Sequence, residues 1–132
     1  DLDGDGTQEW ILGAPSAGMV HIVDADSLSI MYSIQSVDGG FGASLSTCDL
    51  TGDGRDDLVV GAPSAELTKG AVHLFTSPSE DTSPARTWTG TELGDRLGQA
   101  IDCSSRVLAM GAPGGALSKG YIQLVDASAI DG

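Results

Sequence analysis

The sequence has 132 residues, a formal net charge of −13, 19 glycines and a hydrophobic fraction of 40%. That composition fits a turn-rich β chain and not a disordered one, and the length allows one small domain. Nucleic acid is excluded as a natural partner because the chain lacks basic surface, and no apolar run is long enough for direct membrane insertion.

In chain order, Asp1–Glu9 (DLDGDGTQE) is an acidic loop punctuated by glycine. Glu9–Ala14 (EWILGA) is a short apolar strand stopped by Pro15, which removes a backbone donor. Met19–Asp24 and Leu28–Ser36 read as the next two strands, rich in β-branched and apolar residues, with no helical spacing to compete. After Val37–Gly40, the pattern becomes strand Phe41–Cys48, acidic loop Asp49–Asp57, strand Leu58–Ala62, and Pro63. Gly70–Thr76 (GAVHLFT) then matches the earlier GMVHIVD position for position. An exposed acidic connection, Ser77–Pro84, leads to a return strand at Ala85–Thr89. Strands near Gln99–Cys103, Val107–Ala112 and Gly120–Asp126 repeat the order once more.

Three Gly-Ala-Pro triplets, beginning at Gly13, Gly61 and Gly111, mark a repeat of about 50 residues, a period that belongs to propellers and modular arrays. Within that frame the ten strands fall in the order 2-3-4, 1-2-3-4, 1-2-3. The expected architecture is all-β: blades of four antiparallel strands, one complete (41–89) between two partial ones (1–40 and 90–132). A chain so divided reads as a piece of a longer protein, whose blades need their neighbours for stability. Two cysteines are too few for a disulfide framework. Cys48 and Cys103 fall at the ends of equivalent inner strands, where one bridge would fit, but two buried thiols are the preferred reading. No asparagine is present, so the chain has no N-glycosylation acceptor.

The acidic loops carry the chemistry. Alternate positions hold Asp1, Asp3, Asp5, Thr7 and Glu9 in the first loop, and Asp49, Thr51, Asp53, Arg55 and Asp57 in the second. Oxygens so spaced converge on one point if the chain curls, and Gly6 and Gly54 permit the curl. Hard oxygen donors without cysteine or histidine select Ca²⁺ over zinc or copper, and Mg²⁺ suits an all-protein cage poorly. Positions one, three, five and nine are assigned side-chain roles, whereas Thr7 and Arg55 would use their main-chain carbonyls. An EF-hand is excluded, because its twelfth position requires glutamate and here holds Leu12 or Val60. The competing reading is a pair of ordinary Asp-Gly turns. It is disfavoured because three or four uncompensated carboxylates within nine residues repel, and the pattern occurs twice in register. Two calcium sites are therefore expected, and none in the third unit, where only Asp102 remains.

Phe41-Gly42, the loop Asp49–Asp57 and Gly61-Ala62-Pro63, with partial copies before and after, resemble the FG-GAP repeat family. The resemblance implies a seven-bladed propeller like that of integrin α-subunits and of glycosylphosphatidylinositol-specific phospholipase D. It implies calcium loops on one face of the disc and ligand-binding loops on the other. Carried over by position, the latter are Ser16-Ala17, Ser64–Lys69, Gly114–Lys119, Val37–Gly40 and Gly90–Arg96. The third unit departs from the family, with Leu97-Gly98 in place of Phe-Gly.

No catalytic constellation emerges. His21 and His73 occupy one repeated strand position, no nucleophile elbow accompanies the serines, and Trp10 and Trp88 are read as packing residues. The expected function is a non-catalytic, calcium-stiffened adhesion or recognition module of an extracellular or cell-surface protein. Its partners would be neighbouring blades and a protein or carbohydrate ligand. The alternatives are an accessory propeller of a secreted phospholipase D-like hydrolase, with its catalytic domain elsewhere, and a purely structural propeller.

Overall fold

The computed structural model describes residues 1–79, 82–104, 106–115 and 119–127. Parts of the expected connections 77–84 and 114–119, with Ser105 and residues 128–132, lie outside the described residues. Among the described residues ten strands form: β1 Glu9–Ala14, β2 Met19–Asp24, β3 Ile30–Gln35, β4 Ser44–Cys48, β5 Asp57–Ala62, β6 Ala71–Phe75, β7 Arg86–Thr89, β8 Ala100–Ser104, β9 Val107–Ala112 and β10 Tyr121–Asp126. They build three antiparallel sheets in the orders β1-β2-β3, β4-β5-β6-β7 and β8-β9-β10.

Two boundaries differ from expectation by more than one residue, each for a local reason. Residues before Ser44 turn instead of extending, since the Phe41 amide bonds to the Asp38 carbonyl and the Ala43 amide to that of Gly40. Leu28 stays out of β3 because the Asp24 carboxylate caps the amides of Asp26 and Ser27, and the Leu28 amide closes on the Asp24 carbonyl. The connection Ser64–Lys69 contains a single tight turn, with Glu66 and Leu67 at positive φ (46° and 58°).

The middle sheet buries both of its faces. Every residue of β5 and β6 is buried, and the alternation of the strands divides them between two cores. Leu58, Val60, Ala62 and Phe75 join Val20, Ile22 and Ile34 of the first sheet, with Phe41 between them. Val59, Val72 and Leu74 join Leu108 and Met110 of the third, with Leu97 of the preceding connection. Each fully buried aliphatic side chain contributes about 1.5–3 kcal/mol, so this double burial is the main source of stability. The outer sheets bury only the face turned to the middle. Trp10 (58% exposed) and Leu12 of β1, and Ile122 (73%) and Leu124 of β10, point away from both cores. Trp88 packs against the second core as expected, while Trp10 finds no partner there.

The sheets approach so closely that glycine is obligatory at the contact. A Cβ on Gly13 would overlap the carbonyl oxygen of Gly42, and one on Gly61 would overlap that of Gly98. Neither Gly13 nor Gly61 has positive φ; the requirement is space.

The preference for two buried thiols is overturned. Cys48 and Cys103 form a disulfide, with Cα atoms 6.1 Å apart. Its cause is register: β4 and β8 are the inner strands of adjacent sheets and pack against each other, which brings their equivalent C-terminal halves together. The bridge closes a loop with a sequence separation of 55, worth about 4 kcal/mol by chain entropy. Replacing both cysteines with serine is expected to lower unfolding stability by about 2–4 kcal/mol in urea denaturation, with the fold retained.

Candidate metal centre

Both acidic loops are built by the same device: the first aspartate turns back to cap the amides of its own loop. Asp1 accepts from the amides of Gly4 (2.7 Å) and Gly6 (3.0 Å). Asp49 accepts from Gly52 (2.6 Å), Asp53 (3.1 Å) and Gly54 (2.9 Å). The following glycines take the conformation this curl demands, with φ of 91° at Gly6 and 90° at Gly54. The Gly54 amide, first among these bonds, holds the Asp49 carboxyl below its ordinary value. Asp5 is lowered likewise by the Thr7 hydroxyl (2.6 Å) and amide (2.7 Å), so both are ionised at neutral pH.

In the first loop the curl gathers four of the five nominated residues. Carboxylate oxygens of Asp1, Asp3, Asp5 and Glu9 all lie within 4.8 Å of one another. The Thr7 hydroxyl donates to the Asp5 carboxylate of this group. The Glu9 carboxylate also accepts from the Leu2 amide at 2.7 Å, which anchors the loop to the start of β1.

The second loop has the same backbone but a different disposition of acids, and among the described residues its carboxylates do not gather into such a group. Asp53 Oδ2 lies 4.0 Å from the Arg55 guanidinium. Asp57, at the start of β5, is buried and accepts from the amides of Leu50 (2.8 Å) and Thr51 (2.9 Å). Burial raises its carboxyl above the ordinary value, and the two amides oppose that rise. Thr51 is half-buried beside them. Arg55, nominated for its carbonyl alone, sends its side chain across to the first loop, where its Cδ and Cγ cover Gly4. Arg106 lies over Gly52 in the same way, one unit on. No sequence spacing announced these arginine covers, because they join residues some 50 positions apart.

Residues 41–75 match the FG-GAP repeat family. The match runs from Phe41 through β4, the acidic loop Asp49–Asp57 and β5 to the end of β6. No curated protein sequence matches the chain. The first loop, where the acids converge, thus lies outside the FG-GAP match, although its backbone pattern repeats the loop inside it.

Two further acids, passed over in the sequence, fix the connections that precede β4 and β8. Asp38 Oδ2 lies 2.7 Å from Nε2 of buried His73, whose Nδ1 meets the Thr87 hydroxyl at 2.9 Å. Desolvation lowers the His73 pKa although Asp38 opposes it, and Nε2 stands at ion-pair distance from Asp38 without an aligned hydrogen bond. This carboxylate–imidazole–hydroxyl string invites a catalytic reading. The same imidazole–hydroxyl pair recurs at His21 and Ser33 (2.7 Å), so it follows from the register of paired strands. Asp95, buried, accepts from the amides of Thr91 and Glu92 and from the Tyr121 hydroxyl, all at 3.0 Å. These bonds, with the Glu92 amide foremost, lower its pKa.

The two roles of Asp57 are separable in metal-free buffer. Asp57→Ala orphans the buried Leu50 amide and the half-buried Thr51 amide and is expected to cost about 2–4 kcal/mol. Asp57→Asn keeps an acceptor oxygen while removing a buried charge, and should stay within about 1 kcal/mol of the parent in chelator-treated urea titrations.

Proposed function

We propose that this chain is a calcium-binding, non-catalytic module of a larger β-propeller, serving ligand recognition or adhesion at a cell surface or in the extracellular space. The observation that carries the metal reading is the convergence of Asp1, Asp3, Asp5 and Glu9. Four carboxylates within 4.8 Å of one another are repulsive without a cation. The donor set is all oxygen, which suits a hard cation, and Mg²⁺ tolerates an all-protein cage less readily than Ca²⁺. Calcium would be held by those four side chains and the Thr7 carbonyl. It would neutralise the loop and stiffen the turn into β1, leaving substrates untouched.

A second ion belongs, on this reading, in the Asp49–Asp57 loop. The shared backbone curl and the FG-GAP match support it, with Asp49, Thr51, Asp53, Asp57 and the Arg55 carbonyl as donors. Asp53 would then exchange its arginine contact for the ion.

The propeller reading is supported by the repeated antiparallel order of the sheets, one of four strands between two of three, and by apolar faces open on both outer sheets. An extracellular setting is supported by the Cys48–Cys103 bridge, since such bonds persist in oxidising compartments. Ligand contacts would fall on the loops joining strands two to three and four to one, among them Ser64–Lys69 and Val37–Gly40.

Calorimetric titration with Ca²⁺ tests this function. The chain is expected to bind two ions, Asp5→Ala one, Asp53→Ala one, and the double variant none. At a calcium concentration about 100-fold above Kd, each site adds about 2.7 kcal/mol of stability, visible as a raised Tm. Absence of binding heat from demonstrably folded protein would reduce both loops to acidic turns.

A further inference from the structure

We infer that the Asp38–His73 pair is a proton-sensitive clasp. It fastens the connection between the first two sheets to β6 while the imidazole is neutral, and releases it when the ring takes up a proton. This inference rests on neither the metal reading nor the propeller reading.

The ring stands where a charge is poorly supported. His73 is 6% exposed and sits opposite Val60 of β5. The Phe41 and Phe75 rings flank it, with centroids 5.6 and 6.4 Å away. Its Nδ1 meets the Thr87 hydroxyl. Its Nε2 is buried and lies 2.7 Å from Asp38 Oδ2 without an aligned hydrogen bond. Charged residues on the neighbouring strands face elsewhere. The Asp57 carboxylate of β5 is taken by the Leu50 and Thr51 amides. Arg86 of β7 stands opposite Leu74, one place on from His73 and so on the other face of the sheet. Ile34 and Gln35 of β3, and Thr82, Ser83 and Pro84 of the following connection, carry no charge. Among the described residues, Asp38 is the one charge acting on the ring.

What hangs on the clasp is a turn. The Asp38 carbonyl accepts from the Phe41 amide at 3.1 Å, and the Gly39 carbonyl accepts from the Ser64 amide at 3.0 Å. The turn thereby places Phe41 in the first core and Gly42 against Gly13. A proton on His73 puts a charge into apolar surroundings with a single, partly exposed carboxylate to meet it. Beside the ring lies a cavity of about 180 Å³, lined by Gln35, Ser36, Phe41 and Phe75 among others. It gives water a place to solvate the imidazolium once the turn lifts. Burial holds the His73 pKa below its ordinary value although Asp38 opposes it. The contribution of the neutral ring is therefore complete above the unfolded histidine value, about 6.5, and is lost as the pH falls below it toward the lower folded value.

The chain has two histidines, His21 and His73, so each imidazole signal can be followed by NMR from about pH 7 to about pH 5.5, above the ordinary carboxylate range. Hydrogen exchange at the amides of Phe41, Ala43 and Ser64, corrected for its intrinsic pH dependence, reads the turn. Those amides are expected to lose about fivefold in protection as the His73 signal moves, while the amides that pair β9 with β10 keep theirs. His73→Gln should make the protection of the turn independent of pH over this range. Asp38→Asn removes the counter-charge without touching the ring, and should move the His73 titration to lower pH. Protection that holds or rises on acidification of the parent overturns the inference, and so does a loss that persists in His73→Gln. Should that variant not fold, Asp38→Asn decides, because a His73 titration that stays in place or moves to higher pH also overturns it.

Discussion

Contact between backbones, at a distance only glycine permits, sets the geometry of this molecule. The Gly42 carbonyl rests on Gly13 and the Gly98 carbonyl on Gly61, and these two points fix how far apart successive sheets lie. With that spacing, side chains alternating along β5 and β6 reach two cores at once. The Cys48–Cys103 bridge sits where β4 and β8 are brought together by the same stacking. A methyl group at either glycine would part the sheets and loosen both cores, because interiors packed to this density have no slack.

The acidic loops depend on this frame and contribute one leucine each to its apolar cores. Each is a curl held by its first aspartate, and each ends on the residue that starts the second strand of its unit. At that end, Glu9 and Asp57 bond the amides of Leu2, and of Leu50 and Thr51, respectively. Since Leu2 and Leu50 are themselves buried in the two cores, the loop carboxylates and the apolar packing are tied at one point. An ion bound between the acids would therefore act on the sheets through two leucines, which gives calcium a mechanical route to stability beyond charge neutralisation.

Much of this was legible in the residues. Three Gly-Ala-Pro stops, short β-branched runs and repeated Asp-Gly loops placed all ten strands, because period-two burial and proline termination are local signals. What escaped was long-range or conformational. The disulfide depended on which strand of one sheet abuts which strand of the next, a tertiary fact that two cysteines could not announce. The clamps Asp38–His73 and Asp95–Tyr121 join separate segments, and the arginines covering Gly4 and Gly52 cross from one loop to another. The two acidic loops read alike, yet only the first gathers its carboxylates. The difference lies in Arg55 drawing on Asp53 and in the burial of Asp57, neither of which spacing encodes.

Native-state hydrogen exchange tests the central claim, that double-sided burial of the middle sheet is what holds the fold. Comparison should be made between central strands, so that edge fraying does not enter. Amides of β5 and β6 are expected to exchange only through global unfolding, while those of β2 and β9, buried on one face, open locally at lower free energy. Amides of β2 or β9 outlasting those of β5 and β6 would contradict the account.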